Sequence, residues 1–272
     1  MSETKLYIIS DKETWSMAFA YITKKNRAVV IDGGYPECMP FVKECIGNRE
    51  IAAWIFTHPH IDHISGFIEE VKKGNFLNQI KKIYHHFPSA DFVVNAEPDE
   101  VHNIIDFEGI LPLFEERVVI AEKDMKINID ELIIDFIFIG GERFLWPKPN
   151  LAVNESSLVF KVTSQNLRSV LFLGDLGPEG GRALLNECGD IIKSDIVQMA
   201  HHGHSGVSKN VYEVINPDAA LWCACEWLWN EEPIEFEPEL WGTLRQREWM
   251  AELGVKEHYV AKDGTQLIPL RK

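Results

Sequence analysis

The chain is short of cysteine, of positive charge and of long apolar runs. Its five cysteines, Cys38, Cys45, Cys188, Cys223 and Cys225, are scattered along 272 residues. Their odd number and irregular spacing argue against a disulfide framework and for a reducing compartment. Lysine and arginine number 27 against 42 acidic residues, a formal net charge of −15. Duplex nucleic acid is bound through Lys and Arg set against phosphates, so this balance disfavours it as a partner. The basic groups present, Lys24-Lys25 with Arg27, Lys72-Lys73 and Lys81-Lys82, read as solvated faces and strand edges. No stretch reaches the roughly 18 apolar residues of a membrane span. The first residues lack a basic region followed by a long apolar one. The expectation is therefore a cytoplasmic protein without membrane contact. Neither a G-x-S-x-G elbow nor a P-loop is present, which removes a serine nucleophile on a strand turn and a phosphate-cradling loop. Low-complexity tracts and short repeats are lacking as well.

What is there concentrates in one segment, Thr57-His58-Pro59-His60-Ile61-Asp62-His63-Ile64-Ser65-Gly66. It follows the apolar run Ile51 to Phe56, which reads as a buried strand opening into a loop. Imidazole suits zinc, iron and manganese, and carboxylate adds a hard, charged ligand. His58 and His60 leave an extended chain on one side, because strand periodicity is two. Asp62 and His63 fall where a helix begins. One metal is expected to take His58 and His60, and a neighbouring one Asp62 and His63. The bland alternative is a polar loop with one capping histidine. The pattern resembles the His-x-His-x-Asp-His signature of the metallo-β-lactamase-fold hydrolases, and other parts of that signature follow in order.

The resemblance implies a role for each of those parts. Ala28 to Gly34 is a β-branched strand ending in Asp32-Gly33-Gly34. Asp32 matches the carboxylate that holds a ligating histidine by its free N–H; the competing reading is a hairpin turn. Ser169 to Leu176 runs into Gly174-Asp175, and Asp175 matches the ligand that bridges both metals. Asp195 to His204 repeats strand, histidines, glycine. The last ligand directly precedes a glycine and is His202, with His201 as the alternative or as a pocket-lining residue. His204 departs from the pattern and is expected to be an exposed loop histidine. His85 and His86 follow a strand and are a weaker route into the pocket; His102 is expected at the surface. The third histidine usual for the first metal is missing, and Asn154 stands near its place. An amide is a weaker, neutral donor, so the first site is expected to bind less tightly and to favour an oxygen-tolerant metal such as manganese. Asn154-Glu155-Ser156-Ser157-Leu158-Val159, His201-His202-Gly203 and the closing Asp263-Gly264 turn resemble the hydrolase domain of bacterial competence channels (the ComEC type).

Together these features predict a single domain over residues 1–272 with 46% hydrophobic content, ample for a sizeable core. Apolar strands are expected near Leu6, Ala28, Ala52, Ile80, Val118, Leu132, Ser157, Val170, Ile196, Ala219, His258 and Gln266. Helices are expected over Pro36–Ile46, Ser65–Val71, Glu97–Glu108, Gly180–Cys188, Lys209–Ile215 and Glu239–Leu253. Strands apolar on both faces need cover on both sides, so the fold class is α/β (α+β), a four-layer αββα sandwich of two mixed sheets with helices on the outer faces. The halves are drawn at about 1–149 and 150–272, across the hinge Trp146-Pro147-Lys148-Pro149. The Trp-rich stretch from Trp222 to Trp249 reads either as a rim or dimer contact or as an excursion packed on the core. Cys223-Ala224-Cys225 reads as buried thiols of one strand.

The expected activity is hydrolysis by a metal-activated water, with zinc or manganese, one or two per chain. Asp62 and Asp32 are the catalytic carboxylates; His58, His60, Asp62, His63, Asp175 and His202 are the metal ligands; Asn154 and His201 are further candidates. Substrates of the resembled superfamily range over β-lactams, lactones, thioesters, phosphodiesters and nucleic acids, so the fold does not choose among them. The competence-type resemblance favours a phosphodiester, and the acidic balance favours a small molecule or nucleotide over a long strand. A lactonase or thioesterase of the same fold and a non-catalytic metal-binding protein are the rivals. The oligomeric state is left open.

Overall fold

In strand β3 (Ala28–Ile31) Val29 and Ile31 point into one core while Ala28 and Val30 point into another. A strand apolar on both faces is stable only when covered on both. The computed structural model describes residues 3–143, 152–232 and 242–272 and supplies that cover. The first sheet holds β1 (Lys5–Ile8), β2 (Phe19–Ile22), β3, β4 (Ile51–Ile55), β5 (Ile83–His85) and β6 (Val118–Ile120). The second holds β7 (Lys126–Ile129), β8 (Leu132–Ile139), β9 (Leu158–Thr163), β10 (Val170–Phe172), β11 (Ile196–Gln198), β12 (Ala219–Trp222) and β13 (Glu257–Val260). The last strand, β14 (Gln266–Ile268), returns to the first sheet and pairs antiparallel with β1. Among the described residues the orders are β14-β1-β2-β3-β4-β5-β6 and β13-β12-β11-β10-β9-β8-β7, seven strands each.

The helices are α1 (Met39–Ile46), α2 (Ile61–Lys72), α3 (Ala90–Ala96), α4 (Val101–Ile110), α5 (Ala152–Glu155), α6 (Pro178–Cys188), α7 (Lys209–Ile215), α8 (Glu226–Trp229) and α9 (Thr243–Glu252). Three cores separate four layers. The central one joins the facing sheets, with Phe19, Tyr21, Val29 and Ile55 against Phe136, Phe160, Phe172 and Leu221. Phe172 meets the Phe19 ring edge-on at 5.2 Å and stacks on Phe160 at 5.0 Å. Val42, Ile64, Phe67 and Phe107 cover the outer face of the first sheet, and Leu184, Val211, Tyr212 and Met250 that of the second. Each fully buried large side chain contributes roughly 1.5–3 kcal/mol, so these three cores dominate the fold's stability. The expected four-layer αββα sandwich is therefore present.

The boundary between sheets differs from the boundary between sequence halves. The chain crosses from β6 to β7 well before residue 149, and β14 crosses back. The proline-rich hinge lies outside the described residues. The helix expected over Glu97–Glu108 starts a turn later, as α4, and α3 before it is additional; Pro98, which lacks the N–H that would continue α3, separates them. Helix α2 starts at Ile61, a turn earlier than expected, after an extended His60. Of the helix expected over Glu239–Leu253, the described part is α9; its first residues lie outside the described ones. Strands β2 and β7 are additional to those expected.

One edge of the sandwich gathers the strand ends that matter. The parallel pair β3 and β4 ends at Ile31 and Ile55, and the parallel pair β10 and β11 ends at Phe172 and Gln198. The segments that follow begin at Asp32, Thr57, Gly174 and Ala200, so four loops open side by side. Clefts at the carboxyl ends of parallel strands are the usual place for ligands in such sheets.

Candidate metal centre

The loop after β4 delivers His58 and His60, and the first turn of α2 delivers Asp62 and His63. A carboxylate in a helix's first turn is favoured by the unpaired N–H groups there. The loop after β10 delivers Asp175. Its tight turn needs Gly174 at φ +58°, where a Cβ would lie 2.8 Å from the Ser157 hydroxyl. The loop after β11 delivers His201 and His202, both left-handed at φ +52° and +56°. Left-handed backbone is costly for residues with a Cβ, and two in succession mark a segment held by its surroundings.

Asp62, His63, Asp175 and His202 converge, each with one donor atom within 4.8 Å of the others. His202 Nε2 lies 2.9 Å from Asp62 Oδ2 and 3.0 Å from Asp175 Oδ2. His63 Nε2 lies 3.4 Å from Asp175 Oδ2 and 3.7 Å from Asp62 Oδ2. His58 Nε2 is 3.9 Å from the same Asp175 oxygen and 3.0 Å from His60 Nδ1. His201 Nε2 is also 3.9 Å from it. Asp175 Oδ2 is thus the hub, while its Oδ1 is buried without a hydrogen-bond partner. His58, His63, His202 and Asp175 are buried; His60 and His201, with side chains 13% and 15% exposed, form the mouth.

Behind these residues stands a ring of polar supports. Asp32 Oδ2 is 2.8 Å from His63 Nδ1, and Asp32 also accepts the Thr57 N–H and hydroxyl, both at 2.8 Å. Glu97 Oε2 is 3.2 Å from His60 Nε2, and its Oε1 accepts the Val153 N–H at 2.8 Å. Thr57 Oγ1 lies 3.2 Å from His58 Nδ1. Burial raises the pKa of the Cys223 thiol, and the neighbouring His202 opposes that rise. Asp32 was expected in this ring; Thr57 and Glu97 were not. Thr57 adjoins the histidine motif, a usable signal. Glu97 sits in a Glu-Pro-Asp-Glu run like any surface turn.

Electrostatics follow from packing carboxylates and imidazoles together out of water. Burial alone would lower the His63 pKa, but Asp175, Asp62 and Asp32 raise it to about 10. Burial opposes and Asp175 and Asp62 outweigh it at His202, whose pKa stands well above the usual imidazole value. Burial pushes the Asp175 carboxyl up, but His202, His63 and His58 hold it well below the usual carboxylate range. Asp62 is lowered likewise, with burial opposed by His63 and His202. Burial holds His58 well below the ordinary imidazole value, and His201 at about 4. The cluster is thus a negative pocket that draws positive charge onto His63 and His202. Buried nitrogen and carboxylate donors of this kind suit a divalent cation, which takes the place of those protons.

The remaining candidates fall elsewhere. Asn154 is buried, with Oδ1 unpartnered and Nδ2 3.5 Å from His201 Nε2. His204 is not exposed as expected: at 6% exposure its ring lies 3.8 Å from that of His201 and parallel to Trp15 at 6.2 Å. Gly203, at φ +91° with no room for a Cβ beside Trp222, turns it inward. His85 packs on Phe87 and Phe107, and burial drops its pKa to about 4. His86 Nδ1 donates to the Ala121 carbonyl at 2.7 Å, and His102 is exposed. Of the Trp-rich stretch, Trp222 is buried edge-on to Trp229, and Trp249 joins the outer core of the second sheet. Trp227 instead meets Trp15, which stacks on His202 at 5.9 Å. Trp241 and the acidic residues Glu235, Glu237 and Glu239 lie outside the described residues. Cys223 and Cys225 are buried free thiols.

A family model described as the metallo-beta-lactamase superfamily matches residues 14–221. Among solved structures the chain is similar to the metallo-beta-lactamase fold protein YhfI from Bacillus subtilis, at 11% identity and TM-score 0.59, covering 97% of this chain and 100% of that one. It is similar to CmlA, a diiron beta-hydroxylase from Streptomyces venezuelae, at 13% identity and TM-score 0.62, covering 99% of this chain and 55% of that one. It is similar to unliganded yeast PDE1, at 13% identity and TM-score 0.55, covering 98% and 100%. Identities this low speak for the fold alone. No curated protein matches the chain in sequence. Among the described residues no helix is long and apolar enough to cross a membrane.

Proposed function

Since the chain belongs to the metallo-beta-lactamase superfamily, we propose that it is a metal-dependent hydrolase acting by an activated water on a phosphodiester, as a nucleotide or a short single strand. The observation that carries the hydrolase reading is the convergence of Asp62, His63, Asp175 and His202 at a cleft whose mouth is open at His60 and His201. A divalent ion held there supplies Lewis acidity and a water with pKa lowered from 15.7 to about 7.

The protein's own groups do the rest. Asp62 Oδ2, beside His202 Nε2, is placed to accept the proton of the attacking water. Asp32 takes the His63 Nδ1–H, so Nε2 presents its lone pair to the cleft. Trp15, stacked over His202, walls the cleft on that side. The phosphodiester preference rests on the Asn154 to Val159 phrase with His201-His202-Gly203, and on the acidic surface that disfavours long polyanions.

The test is turnover by protein loaded with Mn²⁺ or Zn²⁺ on bis-p-nitrophenyl phosphate against acyl lactones. Phosphodiester cleavage that outpaces lactone cleavage is expected. The reverse order makes the protein a lactonase of the same fold, and no turnover with either metal leaves a binding protein.

A further inference from the structure

Trp15 stacks on His202 at 5.9 Å, and its Nε1–H donates to the Tyr35 hydroxyl at 3.0 Å. Tyr35 is half-buried and stands close enough to Asp62 and His202 for both charges to act on its phenol. Its place is fixed from several directions. It follows Asp32-Gly33-Gly34, and Gly34, at φ +66°, leaves no room for a Cβ beside Ser16. Ser16 Oγ accepts the Tyr35 N–H at 2.9 Å. The Gly34 carbonyl accepts the Gly66 N–H of α2 at 2.9 Å, and the Asp62 carbonyl accepts the Met17 N–H at 3.1 Å. Trp15 and Tyr35 are therefore anchored to the helix that carries Asp62 and His63. A phenol both accepts and donates. Trp15 uses its oxygen as the acceptor, and among the described residues no acceptor takes its proton. The Thr57 hydroxyl, by contrast, gives its proton to Asp32 at 2.8 Å. An N–H donated to a hydroxyl oxygen polarises that hydroxyl and makes it the stronger donor. Burial, with Asp62, pushes the Tyr35 pKa up to about 12, so the proton stays in place across the neutral range.

We infer that the Tyr35 hydroxyl donates a hydrogen bond to a non-bridging oxygen of the substrate's phosphoryl group, and that Trp15 holds the phenol for that contact. The inference rests on the phosphodiester reading above and adds to it a residue that touches substrate. A phosphodiester spreads its negative charge over two non-bridging oxygens, and both accept hydrogen bonds. Bonds to a charged acceptor are the stronger kind. A neutral donor suits a cleft already crowded with carboxylates and imidazoles, because it brings no further charge out of water. Held in advance by Ser16 and Trp15, it needs no reorganisation when charge develops on the phosphoryl oxygens. Tyr35 is thus a catalytic residue and Trp15 a positioning residue, its indole backed by Trp227, tilted against it at 5.1 Å.

The experiment measures binding of inorganic phosphate to Mn²⁺-loaded protein by calorimetry, beside turnover of bis-p-nitrophenyl phosphate. Tyr35→Phe keeps the ring and removes the hydroxyl alone. It should weaken phosphate about ten- to a hundredfold and lower kcat/KM by a similar factor, with Mn²⁺ bound per chain as in wild type. Trp15→Phe keeps an aromatic ring over His202 and removes the Nε1–H. It should cost less, and in its background Tyr35→Phe should cost less than in wild type, since the two act through one hydrogen bond. Additive losses remove Trp15 from the role. Thermal unfolding checks that each variant folds; if Tyr35→Phe does not, Trp15→Phe decides, and wild-type phosphate affinity in it overturns the inference. Tyr35→Phe with phosphate affinity and kcat/KM near the wild-type values overturns the inference and leaves the hydrolase reading standing. A loss that comes with lost Mn²⁺ overturns it too, because Tyr35 then acts on the metal ligands. A wild type that binds phosphate through Tyr35 without turnover keeps the contact and sinks the hydrolase reading. A wild type that neither binds phosphate nor cleaves the diester overturns both.

Discussion

At the scale of single residues, the centre depends on charge more than on shape. Asp62 and Asp175 both lie about 3 Å from one imidazole nitrogen of His202, at 2.9 and 3.0 Å. Asp62→Asn keeps the volume and removes one negative charge and one proton acceptor. Turnover should fall at least about a hundredfold, with the unfolding midpoint of the metal-free protein lowered, because Asp62 is paired with His63 and His202 and its loss leaves their buried positive charge less compensated. Comparing kcat with thermal unfolding separates the two effects, and kcat within a few-fold of wild type places Asp62 outside the working site. The convergence of Asp62, His63, Asp175 and His202 was legible because each closes a strand-end motif with its own residue pattern. Asp32 was legible for the same reason. Glu97 was not: it lies among acidic neighbours with no periodic signal, and only the folded chain brings it to His60. His204 was misjudged because the inward turn depends on Gly203 and on Trp15, a residue far away in sequence.

At the scale of elements, most strands were legible, and β2 and β7 were not. Strand β2 is four residues, Phe19–Ile22, and β7 alternates with exposed positions at Lys126 and Asn128. Helix α2 was placed late because its cap is His60, which lacks the usual Ser, Thr, Asp or Asn signal. One turn joins the two sheets. Asp130, between β7 and β8, accepts Arg27 Nε at 3.0 Å, Arg27 Nη2 at 2.7 Å and the Thr23 hydroxyl at 2.7 Å. Thr23 and Arg27 sit in the turn between β2 and β3. The hydrogen-bonded Arg27 guanidinium holds the Asp130 pKa at about 2, below an ordinary aspartate near 3.8. A depressed carboxylate stabilises the fold above its unfolded pKa, and that contribution is lost as pH falls from about 4 to about 2. With Arg27 about a third exposed, solvent screening leaves roughly 1–2 kcal/mol. Asp130→Asn should lose that amount in urea unfolding at pH 7 and visibly less at pH 3. An equal loss at both pH values removes the ion pair as its source.

At the scale of the molecule, the centre sits on the seam between the sheets. His58, Asp62 and His63 come from the first sheet's loops, and Asp175, His201 and His202 from the second's. A cation bound there bonds the two halves together and offsets the carboxylates' repulsion. Chelation should therefore destabilise the whole domain. At a free metal concentration a hundredfold above Kd the bound ion contributes about 2.7 kcal/mol. For a domain near this size that is a fall of roughly 5–10 °C in Tm. Calorimetry with and without EDTA measures it, and an unchanged Tm shows that the seam holds without metal.

The six-residue span His58 to His63 has a further consequence, for the order of events during folding. Its imidazoles are neighbours in sequence, so they stay neighbours in the unfolded chain and need no loop closure to meet. Asp175 and His202 arrive only after more than a hundred residues have been ordered, a slow search by the contact-order argument. Metal present from the start can thus lodge on the early histidines in wrong geometry before the later donors arrive. Binding to the unfolded chain also takes back part of the stabilisation that binding to the native one confers. Refolding from urea should be slower with Zn²⁺ supplied at time zero than with Zn²⁺ supplied after the fluorescence of the tryptophans has settled. His58→Ala should remove most of the delay; a rate indifferent to the timing of metal addition rules out such a trap.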